Sequence, residues 1–376
     1  MKKSVLFTLL IAVIAFSTAY IYIKNKNIDI SSIFCSAEEF SALEAENVTE
    51  FSPGVSEVLA VDVCNSGILL CTKEGVYLYN KKGEMLWKYS GIYNSPIMKT
   101  SGNIIMVTDK GTKNITVLEA GKVKWEYALQ GEVINAGINE QGYIWAVHEQ
   151  VGHRGAVTVI SPAGLWLFTR KCAEDFVVSA SICRDGSELL INSIDTSKTK
   201  GSTNITFLNI KGEVFASISR EDEIFPCAAY TDNNSVIAVG DKNILCIDEA
   251  KKVKWEESLG DTKVYTSCFP NIGRAILVTS DKSRAGFFEG ANSFVKLKDK
   301  KGKTAWQRAI SGQAKTVDCN GSLISVNTGR EVFIINAKGK EKGKFCPGRD
   351  IKDAKVIDNN SVAVFMRDSV AVVSAK

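Results

Sequence analysis

From Val55 onward, short apolar segments alternate with turns rich in Gly, Asn, Asp and Lys. The second unit is typical: segments at 95–100, 103–109, 114–119 and 122–129 are separated by Ser-Gly, Lys-Gly and Ala-Gly turns. Segments of this length, rich in Val, Ile and Tyr, are typical of β-strands joined by tight turns. The pattern therefore predicts an antiparallel four-stranded meander for each unit, and residues 55–376 lack the long 3.6-residue periodicity of helices.

This unit recurs along the chain: an apolar strand ends in a turn, and an aromatic residue follows a Gly or Lys. Clear copies occupy 75–91, 114–131, 243–260 and 294–312, and weaker copies occupy 156–168, 204–218 and 331–348. The aromatic residues that mark the seven units are Trp87, Trp125, Trp166, Phe215, Trp255, Trp306 and Phe345, with spacings of 38, 41, 49, 40, 51 and 39 residues. Four strands in each period of about 40 residues are the signature of a propeller blade.

The number of units predicts how the ring of blades closes. Seven complete units end by Gly348, and only three strands remain, at 351–358, 361–367 and 369–375. The stretch 48–54 supplies the missing outer strand, because its Phe-Ser-Pro-Gly repeats the Phe-Cys-Pro-Gly that ends the seventh unit. We therefore expect an all-β, eight-bladed propeller over residues 47–376, closed by strand 48–54 pairing with the last blade. Seven blades is the alternative if the long fourth unit is misassigned.

The amino terminus predicts a membrane anchor. Residues 4–23 contain no charge, Pro or Gly, and twenty helical residues span about 30 Å, the thickness of the bilayer core. A cleaved signal peptide is the alternative, but the apolar run continues past the small residues at 17–19. Lys2 and Lys3 predict that residues 1–3 stay in the cytoplasm. Residues 24–46 then form an acidic stalk, and the propeller lies outside the cytoplasm on a single-pass anchor in the cell membrane.

The distribution of charge along the chain excludes one class of function. The chain has 46 Lys and Arg against 42 Asp and Glu, and all four excess basic residues lie within residues 1–26. The rest of the chain is balanced, so it has no overall basic field for nucleic acid.

The turn-Gly-x-x-x-Trp signature, seen at Gly83–Trp87, Gly121–Trp125 and Gly302–Trp306, resembles the repeat of quinoprotein-type, PQQ-like propellers. The count of eight blades is similar to the outer-membrane assembly factor family built on that repeat. The whole layout resembles uncharacterised membrane-anchored propeller proteins of Gram-positive Firmicutes. The resemblance implies the propeller fold, and it specifies that fold far better than an activity.

The tryptophans are candidates either for packing between blades or for a cofactor platform. A catalytic residue occurs once, whereas a packing residue occurs in every unit, so the repetition favours packing. Many quinone enzymes carry a vicinal Cys-Cys pair, which this sequence lacks. We therefore predict no bound cofactor and assign no cofactor-binding residue.

Other candidate chemistry is weaker. Most of the ten cysteines, among them Cys64, Cys183 and Cys319 near the ends of first strands, are interpreted as small buried hydrophobes. The sequence contains no C-x-x-C motif, so it does not predict a zinc site. His148 and His153 have H-x4-H spacing, and a solvated hairpin is favoured over a metal or catalytic site. The basic stretch 296–303 is favoured as a hairpin turn over an anion-binding patch.

The sequence thus assigns no catalytic, cofactor-binding or metal-binding residue. The leading hypothesis is a non-enzymatic, membrane-tethered propeller whose head binds or scaffolds a protein or polymer of the cell envelope. Two rigid faces of loops around a short channel suit that role. The competing hypothesis is a cofactor-binding enzyme head of the quinoprotein type.

Overall fold

The computed structural model describes residues 47–375 except residues 198, 232–234, 271–273 and 281–290. Residues 1–46, with the predicted anchor 4–23 and stalk 24–46, lie outside the described residues. Within the described residues, no helix has the length and apolar character needed to cross a bilayer. These residues form eight four-stranded sheets in which every strand pair is antiparallel.

The strands follow one another in chain order within each blade. The described chain opens with β1 (Val48–Phe51). Blade 1 contains β2 (Val58–Cys64), β3 (Gly67–Thr72), β4 (Gly75–Tyr79) and β5 (Met85–Ser90). Blade 2 contains β6 (Pro96–Ser101), β7 (Ile104–Asp109), β8 (Asn114–Glu119) and β9 (Lys122–Ala128). Blade 3 contains β10 (Val133–Ile138), β11 (Ile144–His148), β12 (Gly155–Ile160) and β13 (Trp166–Cys172).

The middle blades repeat this order. Blade 4 contains β14 (Phe176–Ile182), β15 (Glu188–Asp195), β16 (Ser202–Asn209) and β17 (Val214–Glu221). Blade 5 contains β18 (Cys227–Tyr230), β19 (Val236–Val239), β20 (Asn243–Ile247) and β21 (Val253–Ser258). Blade 6 contains β22 (Lys263–Cys268), β23 (Ala275–Ser280), β24 (Ala291–Lys298) and β25 (Thr304–Ser311).

The last two blades complete the ring. Blade 7 contains β26 (Thr316–Asn320), β27 (Leu323–Asn327), β28 (Val332–Asn336) and β29 (Glu341–Phe345). Blade 8 contains β30 (Ile351–Asp358), β31 (Ser361–Met366) and β32 (Val370–Ser374), with β1 as its outer strand. The prediction of eight four-stranded blades is confirmed, and the seven-bladed alternative is wrong.

Strand β1 closes the ring from the opposite end of the chain. Val48 pairs with Val373 and Phe51 pairs with Val370. The strand is shorter than the predicted 48–54 because Pro53 lacks the N–H needed to continue a ladder. Phe51 also packs its ring 5.6 Å from that of Tyr79 in blade 1. The first and last segments of the propeller are thus joined by both backbone pairing and side-chain packing.

The first strand of each blade lies innermost. First strands of neighbouring blades contact one another from β2 to β18 and from β22 to β30, and β30 of blade 8 contacts β2 of blade 1. We call the face at which these first strands begin the upper face, and the opposite face the lower face. Because the strands are antiparallel, connections between blades and turns between second and third strands lie on the upper face.

Tryptophans of the outer strands pack against glycines of the following blade. A Cβ at Gly121 would lie 2.8 Å from Cγ of Trp87, and one at Gly164 would lie 2.7 Å from Cγ of Trp125. The same contact joins Trp255 to Gly302, Trp306 to Gly339 and Phe168 to Gly212. Each of these glycines has positive φ and sits in the turn before the outer strand. We call this set of contacts the aromatic belt, and it accounts for the recurrence of the tryptophans.

Two of the belt contacts include a hydrogen bond between blades. The indole N–H of Trp125 donates to the carbonyl of Pro162 at 3.1 Å, and that of Trp306 donates to the carbonyl of Ala337 at 3.0 Å. In both pairs the acceptor lies two residues before the contacted glycine. The belt therefore fixes the position of each turn as well as burying apolar surface.

Three of the marker aromatics identified from the sequence are not belt residues. Trp166 is 56% exposed and Phe215 is 49% exposed. In blade 3 the belt position belongs to Phe168, which pairs with Val159, whereas Trp166 pairs with Ile160 beyond a bulge and faces outward. Phe345 lies two residues past its blade's belt position, which is Gly343 opposite Ile334. The same bulge occurs in the outer strands of blades 1–7, so the belt position always falls four residues after the turn residue. The three aromatics Trp166, Phe215 and Phe345 lie two, three and six residues after their turn glycines and therefore miss that position.

At the interface between blades 4 and 5, the large side chain comes from the turn and the small one from the outer strand. Ala216 of blade 4 stands opposite Phe207, at the position that holds an aromatic residue in blades 1, 2, 3, 5 and 6. The turn residue of blade 5 is Lys251 at φ 61°, where blades 1–4, 6 and 7 place glycine. Its ammonium group is buried, pairs with Glu188 at 2.5 Å, and lies 5.0 Å from the centroid of the Phe207 ring. A long side chain from the turn thus replaces a large one from the outer strand.

Candidate functional site

The first strands of blades 7, 8, 1 and 2, which form the inner edge of their sheets, carry ionisable side chains. Around this arc the charges alternate: Asp318 in β26, Lys355 in β30, Asp62 in β2 and Lys99 in β6. Electrostatic contact links them, since Lys355 and Lys99 both lower the pKa of Asp62 while Asp318 raises it. We call this half of the ring the charged arc.

Burial and charge act against each other within the arc. Loss of water contact raises the pKa of Asp62 above its usual range, and the nearby lysines only partly offset that rise. Burial alone would lower the pKa of Lys355, but Asp353, Asp318 and Asp62 together raise it above its usual value. Lys355 is therefore a cation held in place by three carboxylates.

The carboxylates of the arc also accept backbone hydrogen bonds at the inner edges of the blades. Asp62 accepts a hydrogen bond from the N–H of Val63 at 2.9 Å, and Asp353 accepts one from the N–H of Ala354 at 2.8 Å. Asp318 accepts from the N–H of Val356 in the next blade at 2.8 Å. These groups satisfy backbone donors of edge strands, which would otherwise lack partners.

The opposite half of the ring is neutral. Strands β10, β14 and β18 contain no charged residue, and β22 contains only Lys263 at its first position. Small polar residues and thiols occupy the central positions there. In β22, a hydrogen bond with the Cys319 thiol of blade 7, together with burial, raises the pKa of Cys268 well above its usual value. Among the first strands that the structure describes, charge is therefore concentrated on the arc.

A cavity of about 420 Å³ opens on the upper side of the charged arc. Its walls come from β2, β6, β30 and the β31–β32 turn, with one contribution from β10. The charged lining consists of five cations and one carboxylate: Lys99, Lys110, Lys352, Lys355, Arg367 and Asp353. We call this space the arc cavity.

Four of the five cations in the arc cavity form no ion pair within the described residues. Lys355 lies 3.5 Å from Asp353. In contrast, Lys99, Lys110, Lys352 and Arg367 are exposed and form no ion pair or side-chain hydrogen bond with a residue that the structure describes. Elsewhere exposed cations often find partners, as Arg184 does with Glu140 at 2.9 Å. The cavity therefore holds a local excess of positive charge that the fold itself does not neutralise.

Two β-bulges direct side chains into this cavity. Leu59 lies at a register shift between Val58 and Ala60 of β2, opposite no residue of β3. Lys352 occupies the corresponding bulge of β30, and both residues line the cavity. Bulges near strand ends commonly re-aim a side chain at a functional site. One bulge supplies an apolar group to the wall and the other supplies a cation.

Exposed apolar side chains lie on the same upper face, on blades next to the cavity. Ile134 sits at the equivalent bulge of β10 and is 44% exposed, next to Asn135 of the cavity wall. Val151 in the β11–β12 turn is 95% exposed, and Ile92 between blades 1 and 2 is 87% exposed. Apolar groups left in water beside a charged pocket are typical of surfaces that bind a partner.

The two histidines do not form a joint site. His148 is buried at the end of β11, where its ring nitrogens contact the Glu149 carbonyl and the Thr158 hydroxyl, each at 2.8 Å. Burial lowers its pKa, so the ring is neutral near pH 7. His153 lies in the exposed turn that follows. Across the described residues, no group of three or more His, Cys, Asp or Glu side chains has metal-site geometry.

The cysteines and the basic stretch behave as turn and core elements. The nine cysteines within the described residues are free thiols, and Cys64, Cys71, Cys183 and Cys246 are buried. The stretch 296–303 crosses the β24–β25 hairpin, where Asp299 accepts hydrogen bonds from the backbone N–H groups of Lys301 at 2.8 Å and Lys303 at 2.9 Å. The hairpin interpretation of this stretch agrees with the structure.

The charged arc was not predicted from the sequence. A signal was present, because Asp62 and Lys99 are the only charged residues of β2 and β6, and Asp318 is the only one of β26. The residues at these positions differ from blade to blade, however, whereas a sequence repeat is recognised from positions at which the same type of residue recurs. Only closure of the ring shows that blades 7, 8, 1 and 2 are neighbours.

Solved structures share this fold at low sequence identity. BamB from Moraxella catarrhalis aligns with a TM-score of 0.54 at 14% identity, over 87% of this chain and 98% of that one. The C-terminal WD40 domain of Sif2 aligns with a TM-score of 0.63 at 9% identity, over 87% and 98%. The Cps50 (Swd1) propeller of Myceliophteria thermophila aligns with a TM-score of 0.52 at 10% identity, over 88% and 99%. Identities this low establish the propeller fold alone.

The sequence comparisons complete the assignment. No curated protein matches the sequence. A protein family described only as a family of unknown function, DUF5711, matches residues 37–374 of the 376. That match spans the propeller from β1 to the last residue of β32, and the chain belongs to the DUF5711 family.

Proposed function

We propose that this protein is a non-enzymatic binding or scaffold module, tethered to the membrane by residues 4–23, whose propeller head docks a protein or polymer of the cell envelope. The observation that carries the proposal is the upper face, where a cationic cavity lies beside exposed apolar side chains of adjacent blades. Docking surfaces combine apolar anchors with a polar rim in this way. The head lies outside the cytoplasm in this proposal because of the flanking charges at residues 2–3.

Rigidity supports a docking role. The aromatic belt joins five pairs of neighbouring blades, and β1 ties the last blade to the first, so the blades that carry the described loops of the upper face are packed firmly against one another. A pre-organised surface loses little conformational freedom when it binds, which preserves affinity.

Site-specific photo-crosslinking in native membranes tests the proposed docking face. A benzophenone amino acid would replace Val151 or Ile92 on the upper face and, as matched controls, Leu165 or Met85, which are 66% and 57% exposed on the turn and outer strand of the other side. We expect discrete adducts from the two upper-face positions and none from the controls. Equal adduct patterns from both sets would show that the upper face is not a specific docking surface.

The competing hypothesis, a quinoprotein-like cofactor-binding enzyme, makes an opposite prediction for the purified full-length protein. The binding module should show only the near-ultraviolet absorbance of its aromatic residues and no stoichiometric metal. One metal ion or chromophore per chain would contradict the binding-module hypothesis and support the enzyme hypothesis.

Protease accessibility tests the proposed topology. Protease added outside protoplasts should degrade the head, because the positive-inside rule keeps the Lys2-Lys3 side in the cytoplasm. Full protection of residues 51–376 in intact protoplasts, with degradation after lysis, would reverse the orientation.

A further inference from the structure

We propose that the arc cavity binds an extended acidic peptide segment of the partner, with carboxylates on the four unpaired cations and an apolar side chain against Leu59. This inference rests on the proposed docking function and names the chemistry of the partner.

Charge is the first argument. Five cations line one cavity, and they outnumber the three carboxylates of the arc, Asp62, Asp318 and Asp353. Four of the five cations form no ion pair with a described residue. Fixed cations kept close together repel one another, and an anionic ligand removes that repulsion. Arg367 adds a planar group that can hold a carboxylate through two parallel hydrogen bonds.

The apolar part of the cavity decides between kinds of anion. Partly exposed Val58, Leu59 and Val61 of β2 line one wall, and Pro53 joins them from the segment after β1. A phosphate polymer has no group that gains from contact with this wall. A peptide with alternating acidic and apolar residues presents both kinds of side chain at once, so the mixed lining favours a peptide.

The shape of the site agrees with an extended chain. The cavity volume of about 420 Å³ lies within the range of about 300–1,000 Å³ that ligand pockets occupy. Its walls include the inner edge strands β2, β6 and β30, and edge strands present backbone donors and acceptors that an extended peptide can match. Ile134, exposed beside the cavity wall, gives the bound chain a further apolar contact as it leaves.

The test measures binding to the full-length protein in detergent micelles by fluorescence anisotropy. The probe is a fluorescein-labelled hexapeptide of alternating Glu and Leu, with a Gln and Leu hexapeptide as its uncharged counterpart. We expect the Glu peptide to bind, the Gln peptide to bind at least about tenfold more weakly, and the affinity of the Glu peptide to fall as salt is added.

Three substitutions and a matched control locate the site. The combination Lys99→Gln, Lys352→Gln and Arg367→Gln should weaken binding of the Glu peptide by about tenfold or more. The combination Lys300→Gln, Lys301→Gln and Lys303→Gln removes the same charge from the lower face and should leave the affinity within about twofold. Both variants alter exposed side chains, and equal unfolding midpoints would show that both are folded.

A separate substitution tests the apolar wall. Leu59→Ser removes the side chain at the bulge without changing charge, and it should weaken binding of the Glu-Leu peptide several-fold. A hexapeptide of Glu and Ser should bind the wild-type and Leu59→Ser proteins equally.

Three results would overturn the proposal: equal affinity for the Glu and Gln peptides, equal losses in the two triple variants, or tight binding of inorganic tripolyphosphate without binding of the Glu peptide. The last result would identify a phosphate site. Crosslinking at Val151 separates this inference from the proposed function. Adducts at Val151 without peptide binding mean that only the partner chemistry is wrong, whereas loss of both removes the docking face.

Discussion

The aromatic belt and the charged arc lie in the same eight blades and follow opposite rules. In the belt, Trp87, Trp125, Trp255 and Trp306 make one contact with one kind of turn glycine in successive blades. In the arc, the four first strands carry residues that differ in charge from each blade to the next. Packing between blades requires the same contact at many interfaces, so the same pair of residue types recurs. A binding site needs an arrangement of residues that occurs once.

The interface between blades 4 and 5 refines this comparison. It departs from the belt's residues but keeps the belt's volume, because Lys251 replaces a glycine where Ala216 replaces an aromatic residue. The Glu188 carboxylate and the Tyr230 ring, whose centroid lies 5.4 Å from the ammonium group, compensate the buried charge. A repeat can therefore lose its marker residues and keep its packing.

The largest expected effect comes from removing the strand that closes the ring. A protein lacking residues 1–54 should be less stable than one lacking residues 1–46 by more than about 4 kcal/mol. The longer deletion removes β1, exposes the edge of β32, and takes the Phe51 ring from Tyr79. Urea unfolding measures the difference, and equal midpoints would show that β1 contributes little to closure.

Replacing the tryptophans of the belt should cause the next largest loss of stability. Each of Trp87→Ala, Trp125→Ala, Trp255→Ala and Trp306→Ala should destabilise the protein by about 3 kcal/mol, near the lower end for large aromatics because each ring keeps some exposure. Trp166→Ala is the matched control, and its exposed ring should cost about 0.5 kcal/mol or less. A large loss for Trp166, or one belt tryptophan without effect, would break the rule of equal contacts. Chemical denaturation of the five variants provides the measurement.

In the charged arc, Lys355→Met should cost about 2 kcal/mol at pH 7, since it leaves three carboxylates without their shared cation. The raised pKa of Lys355 means that its stabilising effect is complete at neutral pH and is lost only as pH rises through that pKa. Acid should shrink the deficit of the variant, because burial raises the pKa of Asp62 and its protonation removes one of the charges that Lys355 neutralises. Unfolding curves at pH 7.5 and pH 4.5 test this, and a deficit that does not change with pH would mean that Lys355 acts through packing alone.

A swap at blades 4 and 5 tests whether volume is what the belt conserves. Ala216→Trp alone should overpack against Lys251, and Lys251→Gly alone should leave a gap and a partly buried Glu188 carboxylate with one fewer partner. The double variant recreates the Trp and Gly pair of the other blades, so the two changes should couple favourably by about 1–2 kcal/mol. Additive losses in the double-mutant cycle would show that blade 5 cannot accept the common arrangement.

The smallest effect concerns Asp62. Burial raises its pKa in the folded protein, so the folded state disfavours the carboxylate and stability falls as pH rises through that pKa. Asp62→Asn keeps an oxygen for the N–H of Val63 and removes the charge, so it should stabilise the protein by less than about 1 kcal/mol at pH 7. The two proteins should converge in stability at acidic pH. A variant less stable than wild type at pH 7 would mean that the alternating charges of the arc outweigh burial.

By itself, the sequence determined the class of fold, the number of blades and the segment that closes the ring. These features depend on local signals: turn residues, strand length and the return of the same pattern in each unit. The apolar core needs only those signals, because each blade buries the same two faces against equivalent neighbours.

Tertiary structure alone decided where the candidate site lies, and it corrected which aromatics form the belt. The belt position falls four residues after the turn glycine, so in blade 3 it takes Phe168 and leaves the larger Trp166 exposed. The charged arc joins Asp62 and Lys99 near one end of the propeller sequence to Asp318 and Lys355 near the other. Their proximity exists only once the ring has closed, since electrostatic interaction depends on distance in space and not on separation along the chain.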